Sequence, residues 1–180
     1  MAANKKGKKI ALSIALVGIM AATVECGKLA LAALPNIEVV TFLIGIYSYV
    51  CGALGIVAAL IFVAIEPLIW GFGTWMISYF IYWPLVALVF FFLGRMRVKN
   101  LIAITSIAVV LTALFGVLTA FVDVGLFSGS YENFFARFAI YYSRGIAFYI
   151  AQIATNAVIF PLLFRPLGNS LLKMKSRTGV

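Results

Sequence analysis

LIAITSIAVVLTALFGVLTAFV, residues 101–122, runs for twenty-two positions without a charged side chain. At 1.5 Å per residue such a helix is about 33 Å long, the thickness of a bilayer's hydrocarbon core. Backbone N–H and C=O groups in lipid must be satisfied within the segment, which selects a helix. Working outward, similar apolar runs predict spans at about 10–34, 37–51, 53–65, 72–93, 101–122 and 134–164. Hydrophobic residues make up 65% of the 180-residue chain and charged residues 11%. Mean hydropathy is +1.15. A soluble fold of this length has no interior large enough for that much apolar surface. The runs are continuous rather than alternating, which excludes a barrel. The fold expected is an all-α integral membrane protein, one domain over 1–180, with six transmembrane helices. The second and third spans are short, so they must be tilted, extended by flanking loops, or shielded by neighbours.

Charge sets the orientation. Lys5, Lys6, Lys8 and Lys9 precede the first span. Arg95, Arg97 and Lys99 separate the fourth from the fifth, and Arg165, Lys173, Lys175 and Arg177 follow the sixth. These are eleven of the fourteen basic residues. Six spans bring all three clusters to one side, which the positive-inside rule makes cytoplasmic, with both termini there. An odd number of spans would put the two basic tails on opposite faces. The net charge of +9 therefore belongs to topology and anionic lipid, and no soluble basic face is left for nucleic acid. The opening "MAANKKGKKIALSIALVGIMAA" has a signal-peptide layout, but no cleavage pattern follows and it is expected to stay as the first span.

All five acids (Glu25, Glu38, Glu66, Asp123, Glu132) and the three remaining bases (Lys28, Arg137, Arg144) fall in the outer half. A channel needs polar groups along its whole path. This distribution predicts an outward-facing binding cup closed below by apolar packing. In "AIEPLIWGFGTW", residues 64–75, Glu66 and Pro67 are expected to end span three at the outer mouth. The glycines would then let a loop carrying Trp70, Phe72 and Trp75 fold over that mouth.

Other positions carry both a structural and a functional reading. Glu25 and Lys28, three apart on span one, either neutralise each other or turn one member into the cup. Arg137, Arg144, Gln152 and Asn156 form a stripe on span six that should avoid lipid, although Arg137 also has the option of snorkelling to the interface. Trp70 and Trp75 suit an aromatic belt, whereas Tyr79, Tyr82 and Trp83 lie deeper, where Tyr79 and Trp83 suit the flat wall of a ring-binding pocket. Cys26 and Cys51 are packing residues without metal-ligand spacing. The chain has no histidine, which removes Ser/His and Cys/His catalysis, and it has no nucleotide-binding glycine loop. "ALSIA" (11–15) and "GIMAA" (18–22) set Ala11 against Ala15 and Gly18 against Ala22 at helical spacing, a small-residue surface suited to a partner helix.

"LAALPNIEVVTFLIGIYSYVCG" (31–52), "EPLIWGFGTWMISYFIYW" (66–83) and "LLFRPLG" (162–168) resemble the substrate-binding S components of energy-coupling-factor (ECF) vitamin transporters. The likeness covers most of the chain in length, span layout and motif order. The resemblance implies a non-enzymatic transport subunit of the ABC class in a bacterial cell membrane, with no covalently bound cofactor. It would hold a vitamin in the outer cup. Its partners would be a transmembrane T subunit, docked through Ala11 and Ala15, and two cytoplasmic ATPase subunits. ATP used by those subunits would drive a toppling that releases the vitamin inside. By region, the resemblance places Asn36, Glu38, Glu66, Trp70, Trp75, Asp123, Asn133 and Arg144 at the ligand, beside Tyr79, Trp83 and Gln152. Glu66 would accept from the ligand or pair with Arg144. An aromatic and amide-rich wall with few charges suits cobalamin first, then a riboflavin-like or queuosine-precursor ring. The rival classes are a stand-alone proton-coupled transporter and a structural assembly subunit.

Overall fold

The computed structural model describes residues 2–34, 37–127 and 132–178. It is built of six helices: α1 (Ala2–Ala30), α2 (Val40–Cys51), α3 (Ala53–Trp70), α4 (Trp75–Arg95), α5 (Leu101–Phe127) and α6 (Phe134–Thr178). Five are long and apolar enough to cross a membrane, and the sixth, α2, has only 12 residues. At 1.5 Å per residue α2 is about 18 Å long, well short of a bilayer. Burial explains how it persists. Ten of its twelve residues are buried, and it packs against all five other helices. A helix apolar on every side belongs in the middle of a bundle, where neighbours rather than lipid surround its ends.

Consecutive helices alternate in direction. Gly27 of α1 meets Val39 and Leu43 beside the start of α2, and Thr23 Oγ1 lies 2.8 Å from Tyr47 Oη one turn further on. The opposite end of α2 is pinned to the later chain. Tyr49 Oη donates to the Val98 carbonyl at 2.7 Å, and Lys175 Nζ donates to the Val50 carbonyl at 3.0 Å. The end of α4, the start of α5 and the tail of α6 therefore meet where α2 ends. This is the basic end of the protein. The core above it is apolar and tightly packed, with Phe42 edge-on to Phe160 at 5.2 Å and Tyr49 edge-on to Phe164 at 5.1 Å. Ile46, Val86, Phe90 and Ala108 are all fully buried there.

Several boundaries differ from the sequence expectation. Helix α3 does not stop before Glu66-Pro67 but continues to Trp70. Breaking it at Pro67 would strand further backbone groups in lipid, and one proline in a last turn is tolerated. The helix ends instead at Gly71, whose φ of +81° is open to glycine and whose N–H bonds the Pro67 carbonyl at 3.0 Å. Helix α6 runs 45 residues through Pro161 and Pro166, well past residue 164. Lys175 and Arg177 in its last turn complement the negative end of the helix dipole. Helix α1 closes at Ala30 and passes into turns over 31–34, and α5 extends to Phe127.

Candidate functional site: an aromatic cup

At the end opposite the basic clusters lies a cavity of about 350 Å³. Its aromatic side comes from three helices. Trp70 ends α3, Tyr79, Tyr82 and Trp83 occupy one face of α4, and Phe115 projects from α5. The rings brace one another, mostly edge to face, with Tyr82 tilted against Phe115. Trp75 stands 4.9 Å from Tyr79, Tyr79 is 5.7 Å from Trp83, and Tyr82 is 4.7 Å from both Trp83 and Phe115. Trp75 thus supports Tyr79 from behind and does not line the cavity. Gly73 makes room for it, because a Cβ there would stand 2.6 Å from the Trp75 indole nitrogen.

Charge enters from α1. The Lys28 ammonium forms an ion pair with Glu66, whose side chain is almost completely enclosed within α3. The same ammonium lies 5.2 Å from the Tyr79 ring centre and 5.3 Å from that of Trp70. Of the two readings of Glu25 and Lys28, Lys28 is the member that turns into the cup, where it pairs across helices with Glu66. Of the two roles open to Glu66, pairing with Arg144 is not seen among the described residues. The reason is burial. Glu66 sits inside the bundle, where an unpaired carboxylate is expensive, and Lys28 is the cation that faces it. Glu25 is also buried, close enough to interact with Glu66, and both its carboxylate oxygens lack a hydrogen-bond partner.

Glu38 organises the opposite wall. One oxygen accepts from the Thr41 backbone N–H at 2.9 Å, satisfying an open donor in the first turn of α2. The other accepts from Asn156 Nδ2 at 2.6 Å, and the same amide lies 3.0 Å from Thr112 Oγ1. The Glu38 carboxylate and the Asn156 amide together therefore tie α2, α5 and α6. Asn156→Leu is expected to cost about 1–3 kcal/mol by leaving Glu38 short of a donor, measured as a shift in unfolding midpoint. Asn156→Asp, which keeps the shape but sets two acids face to face, should be at least as damaging.

Four polar atoms on residues of the cavity wall, Thr41 Oγ1, Tyr82 Oη, Trp83 Nε1 and Gln152 Oε1, are enclosed behind its surface without a well-formed hydrogen bond, the Tyr82 hydroxyl lying against Thr41 and Thr112. Buried polar groups are normally satisfied, at a cost of about 1–3 kcal/mol each when they are not. The surface offered to a ligand is therefore mainly aromatic and apolar, with Lys28 and Glu38 as its charged groups.

No family model, curated protein or solved structure matches the chain. What the cup holds follows from its own chemistry. Glu38, Trp70, Tyr79, Trp83 and Gln152 line it, while Glu66 contributes through Lys28. Asp123, Asn133 and Arg144 do not line it. Asp123 accepts from Tyr141 Oη at 2.6 Å, Asn133 is exposed ahead of α6 with φ +57°, and Arg144 is exposed. Asn36 lies outside the described residues. The polar stripe on α6 splits for a geometric reason. Its inner part, Gln152 and Asn156, reaches the cup, whereas its outer part runs along α5, with Phe134 5.8 Å from Phe121 and Tyr149 against Gly116. Thr112 and Phe115 were not anticipated, since a threonine and a phenylalanine in an apolar span carry no signal of their own. Ala11, Ala15, Gly18 and Ala22 are all exposed on α1, and a Cβ at Gly18 would meet nothing within 4 Å.

Proposed function

We propose that this chain is the substrate-binding S component of an ECF-type vitamin importer. In this reading the chain crosses the membrane six times, with α2 the shielded central part of the second crossing, both termini are cytoplasmic, and the cup opens outward. The observation that carries it is the cup itself, an aromatic cavity flanked by Lys28 and Glu38 at one end of the bundle, above an apolar core. The exposed small-residue face of α1 supports docking to a T subunit, and ATP consumed by two ATPase subunits would topple the loaded chain. A volume of about 350 Å³ lies at the small end of the range for ligand pockets. It favours a riboflavin-like or queuosine-precursor ring, lying against the aromatics with its polar edge towards Lys28 and Glu38. Cobalamin would be held by one edge and project through the mouth.

Native mass spectrometry of the purified chain, followed by titration with a vitamin panel, tests this reading. Trp70→Ala strips one ring from the cavity wall, so it should weaken the retained ligand about tenfold. Binding of no vitamin in the panel would replace the proposal with an assembly subunit. A stand-alone proton-coupled carrier is the second reading, favoured by the unpartnered carboxylate of Glu25 beside the Lys28–Glu66 pair. It requires uptake into vesicles that contain no ATPase, collapsed by an uncoupler.

A further inference from the structure

The basic end of the bundle holds a second cavity, of about 320 Å³, between the end of α2, the start of α5 and the tail of α6. Its walls are of two kinds. Ile104, Phe164 and Leu172 make an apolar recess, and Lys99, Arg165 and Asn169 bring polar groups to it. The positive potential is reinforced twice. Helix α5 begins at Leu101, so the positive end of its dipole faces this space. Lys175 Nζ is held 3.0 Å from the carbonyl of Val50, itself a wall residue.

Among the described residues no acidic side chain lies at this end. The chain has five acids. Glu25, Glu38 and Glu66 belong to the cup and its surroundings, Asp123 is engaged by Tyr141 on the far hairpin, and Glu132 precedes α6 at that same end. The recess therefore offers cations and an apolar wall together at the end of a membrane bundle. A small hydrophilic anion would use only half of that surface. An anionic amphiphile uses all of it.

We propose that this cavity binds the phosphate diester headgroup of an anionic phospholipid. The phosphate would lie between Lys99 and Arg165, and the first part of an acyl chain would lie along Ile104, Phe164 and Leu172. The site is independent of the cup, shares no residue with it, and stands whatever the cup carries. Basic recesses between helix ends at the cytoplasmic face are suited to such headgroups. Occupancy would also tie the end of α2 to α5 and α6 through one ligand.

The test is native mass spectrometry of the full chain from micelles with equimolar phosphatidylglycerol and phosphatidylcholine. The wild type should retain phosphatidylglycerol in preference. Lys99→Gln combined with Arg165→Gln should reduce that retention about tenfold, whereas Lys173→Gln with Arg177→Gln, equal in charge and outside the cavity wall, should not. Leu172→Gln gives a variant that keeps every charge. Leu172 belongs to the apolar wall of the recess, so a polar side chain there should also lower retention. Equal retention of the two lipids, or equal loss in both charge pairs, would overturn the site in favour of general surface attraction. Displacement of the lipid by glycerol 3-phosphate at matching concentration would overturn the lipid assignment and leave a site for soluble phosphate esters.

Discussion

Lys28→Met is expected to destabilise the protein by about 3–5 kcal/mol, the usual cost of removing one partner from a buried ion pair. Glu66 is fully enclosed, and its other carboxylate oxygen already lacks a hydrogen-bond partner, so the ion pair with Lys28 is its main compensation. Nothing else on the cup's wall can replace an ammonium. Glu38, across the cavity, is an acid, and Arg144 is exposed on another part of the bundle. Lys28→Met also strips the cation from the rings of Trp70 and Tyr79. The check is the unfolding midpoint of the purified chain in a titration with a denaturing detergent. The double variant Lys28→Met, Glu66→Leu should regain most of the loss, because an apolar pair of similar volume does without the charge altogether. A single variant within about 1 kcal/mol of wild type would mean that the pair behaves like an exposed one, and the account of the cup's charge would fall.

Gly55→Ala should be the more damaging of two superficially similar changes. Gly55 lies in the first turn of α3, packed onto the last turns of α2, and a Cβ there would run into the backbone of Ser48 and Tyr47. Backbone cannot swing aside as a side chain can, so the hairpin between α2 and α3 must open. A loss of about 3 kcal/mol or more is expected. Gly18→Ala is the control. Its Cβ meets nothing, so it should be neutral or stabilise α1 by about 0.5–1 kcal/mol. The two variants, compared by the same denaturation, separate close approach from helix propensity. Equal effects would show that α2 is not held at the depth described.

The consequence of Gly55 reaches the cup. Helix α2 carries Thr41 and begins just after Glu38, so its depth sets where the Glu38 carboxylate meets Asn156. A shifted α2 would break that contact before it disturbed the aromatic wall. Gly55→Ala is therefore expected to weaken ligand binding even under conditions where the bundle stays folded.

The sequence by itself determined the solvent of this protein, the number of apolar segments, the end at which the cations gather and the apolar character of the half beside them. These follow from local composition, because one uncharged run of twenty-two residues has few fates, and lysines at helix ends carry topology without reference to partners. It singled out Tyr79, Trp83 and Gln152 as polar or amphipathic residues of apolar spans, which turn away from lipid, whereas Glu38 and Trp70 came to the cup only through the likeness to a known family. Tertiary structure alone decided that Lys28 answers Glu66 rather than its helical neighbour Glu25. Pairing between helices depends on their relative rotation and depth, which hydropathy does not encode. Tertiary structure alone put Thr112 and Phe115 on the wall and left Asp123 and Arg144 off it. It also allowed α3 and α6 to run through their prolines, because in lipid a broken helix costs more than a strained one.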